Sequence, residues 1–270
     1  MLTIAPRQVL RAVPMSGLWR VNPHHPLARG MIGYWLPGMH ERANLAPVPV
    51  TDLNSLAFVA PVMTAEGPSN PTVYAPASQP PLWGGTEKSL YWRGVKLGAS
   101  TGAFAGYIQV SYINGSISPF TIWGMDMGAT DASSGRLTWN AGAGQVTLAA
   151  LPTCPVGAVR SFGATFKVGG NATAYSAGLN VGSASFGAGA PSTTSLSQLW
   201  LHANVGGSGS GFLNAGCLIA CAWDRELTAA EMQQMDADPY GILIPVGVTP
   251  TGISLGGGGA SASRHKITFC

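Results

Sequence analysis

Acids are scarce in this chain, eleven in 270 residues, so their spacing is the first test for chemistry. Cutting a glycosidic bond needs two carboxyl groups facing each other across it. A strand could carry them as Glu-x-Asp-x-x-Glu, and no such arrangement occurs. Asp126 is alone in its apolar run. Asp224, Glu226 and Glu231 sit where an apolar run turns into a helix. There Glu231 is expected to cap the helix, and Asp224 to pair with Arg225 or a loop amide. Asp236 and Asp238 fall at the far end of that helix, where the dipole disfavours negative charge, and are expected to face water or neighbours. Calcium needs several oxygen ligands converging on one point. Asp126, Asp131 and Asn140 are the acids and amide grouped in mid-chain, and their spacing matches no calcium loop.

Other chemistries find little support. His24-His25 lie between Pro23 and Pro26 in what reads as a rigid linker, and His40 and His202 have no Cys or second His at ligand spacing. Cys217 and Cys221 lie in a strand-like run, roughly 13 Å apart at the usual rise, too far for a disulfide. They read as small buried residues made in a reducing compartment. Gly256–Gly259 lacks the Lys and Ser/Thr of a phosphate loop. The reading is therefore no enzyme, no metal and no cofactor. Of eight tryptophans, Trp35, Trp123, Trp200 and Trp223 belong to apolar runs and are expected in the core. Trp19, Trp83 and Trp92 are read as lying in arm or loop-rich segments, and so as contact residues.

The elements that must position these residues are short. Runs at Ser89–Trp92, Ala105–Tyr112, Phe120–Met125, Arg136–Trp139, Gln145–Ala150, Val159–Lys167, Ala172–Ala177, Ser195–Ala203 and Gly216–Trp223 read as strands, with Met31–Leu36 before them. Asn114-Gly115, Ser134-Gly135, Gly169-Gly170 and Gly178 punctuate them. One helix stands out. Thr228 as N-cap, Glu231 three residues on, and the flanking pair Leu227 and Met232 give a capping box and a hydrophobic staple. Pro239 stops that helix. The pattern predicts an all-β fold: a two-sheet antiparallel jelly-roll sandwich with one short capped helix near the C-terminus and extended terminal arms.

Charge divides the chain. Only 9% of residues are charged, against roughly 25% in an ordinary soluble domain, which points to a surface covered by neighbours. Residues 1–30 hold Arg7, Arg11, Arg20 and Arg29 with no acid, and residues 246–270 hold Arg264 and Lys266 with none. The expected layout is an arm over 1–30, a domain over 31–245 and a flexible tail over 246–270. Basic ends on an acidic body suit docking on an acidic partner surface. Four cationic residues over thirty, without aromatic alternation, argue against nucleic acid. No apolar run approaches the 18 residues of a membrane span, and Arg7, Arg11 and Pro14 interrupt any secretory signal.

Two stretches carry a resemblance to a known family. Asn22-Pro-His-His-Pro-Leu-Ala-Arg-Gly30 running into Gly33-Tyr34-Trp35 is similar to a P-L-A-R-G-L-x-G-x-W opening. Trp223 to Pro239 is similar to W-N-R-A-L-S-x-A-E-I-x-x-L-x-x-D-P. Ser118-Pro-Phe-Thr-Ile122, and Arg160 to Lys167 followed by Ala174-Tyr175-Ser-Ala-Gly178, add weaker matches; the chain departs from the pattern at Ser176-Ala177, where Val-Asn is usual, and at Asp224, where Asn is usual. Together they resemble the laminin-G-like, concanavalin A-like jelly roll of tailed-bacteriophage structural proteins. That resemblance implies a virion protein, first of all a capsid decoration or cement protein held by its arm. Its partners would be the major capsid protein or other virion proteins and copies of itself. Arg7, Arg11, Trp19, Arg20, Arg264 and Lys266 are the expected partner contacts. The alternative is a carbohydrate-binding tail or fibre module that meets host surface glycans through a platform such as Trp83 or Trp92.

Overall fold

Runs of β-branched, aromatic and small residues bounded by Gly, Pro, Asn and Ser favour short strands. The computed structural model describes residues 19–36, 72–74, 86–100, 106–114, 117–140, 145–187, 196–201 and 213–245. In chain order the strands are β1 (Trp19–Val21), β2 (Met31–Trp35), β3 (Thr72–Tyr74), β4 (Glu87–Lys96), β5 (Gly106–Asn114), β6 (Ile117–Asp126) and β7 (Gly135–Asn140). They continue with β8 (Gln145–Leu151), β9 (Val159–Lys167), β10 (Asn171–Ser176), β11 (Leu179–Ser185), β12 (Leu196–Leu201), β13 (Ala215–Trp223) and β14 (Leu243–Pro245). A 3-10 turn at Pro26–Ala28 precedes β2, and helix α1 (Ala229–Ala237) follows β13.

Twelve of the strands form two six-stranded antiparallel sheets, ordered β11-β10-β9-β4-β13-β2 and β3-β12-β5-β6-β7-β8, and β1 and β14 form a two-stranded ladder of their own. This is the two-sheet jelly-roll sandwich with one capped helix that the sequence predicts. Alternation along β4 shows how the first sheet is used. Leu90 and Trp92 point between the sheets, flanked on that face by Lys88 and Lys96, whereas Ser89, Tyr91, Arg93 and Val95 point outward.

The inter-sheet core is aromatic. Trp92 packs on Tyr107 at 4.8 Å between ring centroids, Tyr107 on Phe162 at 4.7 Å, and Trp123 on Phe186 at 5.3 Å. Trp92 is 0% exposed, which corrects its reading as a contact residue or glycan platform. Its indole lies across Gly94, where a Cβ would stand 2.3 Å from the ring.

The outer face of the first sheet is covered too. Tyr34, Tyr91, Tyr175, Ile219, Cys221 and Trp223 meet Leu27, Ala28, Met232, Met235, Ile242 and Leu243 in a second core. Residues 19–30 therefore pack with the body: β1 pairs with β14, and Leu27 and Ala28 are buried. Trp19 is half-buried against this core and Arg20 is exposed on β1.

The two motifs behind the resemblance meet at one corner of this layer. Trp223 donates from Nε1 to the Leu27 carbonyl at 2.7 Å, the Asp224 amide to Gly30 at 2.7 Å, and Arg225 from Nε to Arg29 at 2.7 Å. Arg225 also grips Glu231 with two further bonds of 3.0 and 2.7 Å. Glu231 and Thr228 close the capping box as expected. Pairing with Glu231 takes Arg225 away from Asp224, whose partner is instead the buried Lys88 amine. Burial lowers the Lys88 pKa and the Asp224 carboxylate opposes that fall.

Candidate functional site

Alternation on β4 and β9 brings Arg93 and Ser161 side by side on the outer face, since the two are register partners. Beyond them the sheet is closed by α1 and by the β10–β11 turn. That turn is tight: Ala177 and Gly178 both have positive φ, 50° and 74°, as in the mirror-image turns that suit hairpins. A Cβ on Gly178 would lie 2.9 Å from the Gln233 Cα, so the glycine lets the turn press on the helix. Between these elements lies a cleft of about 310 Å³ lined by Arg93, Val159, Arg160, Ser161, Ser176, Ala177 and Asp236. Its size is at the low end of small-molecule sites, roughly 300–1,000 Å³.

Asp236 is the chemical centre of the cleft, and of the two expectations for it, water or neighbours, it is neighbours that surround it. It is 8% exposed. Its Oδ1 accepts from the Ser161 hydroxyl and from the Tyr91 hydroxyl at 3.3 Å. Its backbone carbonyl accepts from Arg93 Nη1 at 3.2 Å. Oδ2 makes no hydrogen bond to the described residues and keeps its access at the cleft. Burial, with the Asp236 charge beside it, pushes the Tyr91 hydroxyl well above its ordinary pKa, so Tyr91 stays a donor. The Ser176 hydroxyl also has no protein partner among the described residues. Val159, half-exposed, supplies an apolar wall. Arg160 belongs to the alternate set of β9 and stands at the rim, its charge within reach of Cys154 in the inter-sheet core.

The sequence signal for Asp236 was present in its helix spacing. Met232, Met235 and Asp236 stand at i, i+3 and i+4, so the carboxylate shares the buried stripe. The other acids are held in place. Asp126 takes two bonds from Arg136 at 2.9 and 3.0 Å and one from the Thr138 hydroxyl at 3.1 Å, and Asp131 pairs with Lys96. Among the described residues no group of three His, Cys, Asp or Glu could hold a metal ion, and no helix is long and apolar enough to cross a membrane. Cys217 and Cys221 are free and buried in β13. Of the sequence-predicted contacts, Trp19, Arg20 and Trp92 are not among the residues lining the cleft. Arg7, Arg11, Trp83, Arg264 and Lys266 lie outside the described residues.

What fold and site define together is a β-sandwich with a small cleft, lined by polar and apolar groups, on the helix-covered face of one sheet. No protein-family model and no curated protein matches the sequence. Among solved structures the chain is similar to a Trypanosoma rangeli sialidase in complex with sialic acid, at 10% identity and a TM-score of 0.49, over 64% of this chain and 27% of that one. It is similar to the Ruminococcus gnavus IT-sialidase CBM40 bound to α2,3-sialyllactose, at 10% identity and a TM-score of 0.45, over 56% and 83%. A structure concerned with ganglioside interaction of botulinum neurotoxin type C is similar at 8% identity and a TM-score of 0.39, over 61% and 38%. Likeness at this level assigns no residue a role.

Proposed function

We propose that the chain is a non-catalytic carbohydrate-binding module whose ligand enters the cleft between the C-terminal end of α1 and the ends of β4 and β9. The observation that carries this reading is the set of unspent polar groups there. Asp236 Oδ2 is an acceptor, Ser176 Oγ can donate or accept, and Arg93 has donors beyond those spent on the Asp236 carbonyl and the Tyr91 hydroxyl. These stand on strand ends and a helix, beside the apolar Val159. A saccharide offers that mixture, hydroxyls that donate and accept around a C–H face. Asp236 is the one carboxylate lining the cleft, and hydrolysis by the usual route needs two. Screening the whole chain on a glycan array tests the reading. Hits that weaken in Arg93→Gln support it; an array without hits, or hits indifferent to Arg93, overturns it.

A second reading concerns where such a module sits. The two motifs that resemble phage virion proteins join at one corner, through Trp223, Asp224 and Arg225 on Leu27, Gly30 and Arg29. That contact accounts for why both motifs occur in one sequence, and the sequence resemblance itself is what favours a place on a phage particle. The basic residues Arg7 and Arg11 would then serve attachment. Particles assembled with a chain lacking residues 1–18 should be depleted of it; full occupancy would rule out the arm as the anchor.

A further inference from the structure

We infer that β11 is a docking edge for a second copy of the chain, the two β11 strands pairing antiparallel and joining the first sheets of both copies. Exposed sheet edges invite pairing unless short length, charge, proline or cover blunts them. On one side of the sandwich both edges are blunted. β2 is buried along its whole length, and β3 is three residues long. The other side, formed by β11 and β8, has none of these devices. Each strand is seven residues long, and Leu179–Ser185 and Gln145–Leu151 contain no Asp, Glu, Lys, Arg or Pro. Among the described residues β11 pairs with β10 alone. Leu179 is 60% exposed and Val181 39%, so the outer edge stands open to solvent.

The occupant follows from the chemistry of the strand. An edge without charge offers no complement to an acidic or basic partner, and it meets a copy of itself without like-charge repulsion. Antiparallel pairing about a two-fold axis at mid-strand places residues equally far from the axis opposite each other, and these share a face. Leu179 and Val181 of both copies therefore gather on one side of the seam. The helices leave room for this. α1 presses on the Gly178 end of the strand, and an antiparallel partner carries its own α1 at the opposite end. Behind β11, Gly182 faces Ala150 of β8, so the edge of the second sheet, with its exposed Val146, gives the contact depth. Because the axis is normal to the sheet, the outer faces of both copies stay on one side. The two clefts, each including Ser176 and Ala177 beside β11, then open in one direction and present two sites to one surface.

The test is sedimentation velocity of the full chain over a dilution series, with hydrogen exchange read by mass spectrometry at both ends of the series. The chain should pass from dimer to monomer on dilution, and the amides of residues 179–185 should lose protection as it does. Val181→Lys sets like charges at the seam and should weaken the dimer about tenfold or more, with an unchanged circular dichroism spectrum. Val181→Thr, neutral and β-branched, should leave the dissociation constant within about threefold of wild type. A chain that stays monomeric at every concentration overturns the inference. So does a dimer indifferent to Val181→Lys, or one whose concentration-dependent protection lies outside β11. The carbohydrate-binding reading stands or falls separately, because the cleft is complete within one copy.

Discussion

Asp126→Ala removes the acceptor at the centre of a buried cluster at the end of β6. Asp126 is 1% exposed and accepts from Gly128 N–H at 2.8 Å, Arg136 Nε and Nη2 at 2.9 and 3.0 Å, and the Thr138 hydroxyl at 3.1 Å. The substitution leaves a mostly buried guanidinium and a buried hydroxyl without their acceptor. Removing one member of such a buried pair costs about 3–5 kcal/mol. Whole domains are stable by only about 5–15 kcal/mol, so the loss is a large share. At roughly 2–4 °C per kcal/mol for a chain of this size, the thermal midpoint should fall by about 6–20 °C. The assay is thermal unfolding followed by far-ultraviolet circular dichroism, with and without calcium. A double-mutant cycle with Arg136→Leu should show a coupling of roughly 1–3 kcal/mol. A midpoint within a degree of wild type would refute the ion-pair argument. So would a calcium-dependent rise in the wild type that the variant lacks, because Asp126 would then be a metal ligand.

Three further outcomes follow from other parts of the molecule. Ala177 holds a positive φ that costs an alanine about 1 kcal/mol, so Ala177→Asn, which tolerates that region, should raise the thermal midpoint by about 1–4 °C; an unchanged or lower midpoint would show the turn is not strained. Gly94→Ala would force a Cβ to 2.3 Å from the Trp92 ring and 2.4 Å from the Gly216 carbonyl, and urea unfolding should show a loss of about 1–3 kcal/mol or more. The paired bonds from Arg225, with the Thr228 amide, hold the Glu231 carboxyl at about 2, below its ordinary 4.5. A depressed folded-state pKa gives stability that is present above 4.5 and is lost as pH falls toward 2. Glu231→Gln should therefore flatten the fall in thermal midpoint across that window, and a slope equal to wild type would contradict the assignment.

The helix was legible because its signals are local. Thr228, Glu231, Asp238 and Pro239 act within a few residues of one another, and the structure uses them as the spacing predicts. Val159–Lys167 was legible because its buried residues form an unbroken run. β11 was not, since Leu179-Asn-Val-Gly-Ser-Ala-Ser185 is an edge strand with little burial and no apolar alternation. β1 and β14 are three residues each, and they are strands because they pair with each other across the covered sheet face. Asp224 shows the same limit in the site residues. Its partner Lys88 lies 136 positions away, and local spacing favoured Arg225 instead. Trp92 was misread because loop-rich sequence precedes its strand, although Leu90-Tyr91-Trp92 already carries the buried pattern. The cleft joins β4, β9, the β10–β11 turn and α1, so only the three-dimensional pairing brings its residues together.

The pairing of Trp19 with Pro245 has a mechanical consequence. Trp19 and Pro245 stand directly opposite each other in an antiparallel ladder, where partner Cα atoms are about 4.5–5.5 Å apart. β1 and β14 together occupy scarcely more room than a single hairpin, and the other twelve described strands and α1 all lie between them along the chain. Tension applied at Trp19 and Pro245 would open this ladder one bond pair at a time, starting from that pair. A sandwich closed in this way would yield at the narrow ladder before its cleft felt the load.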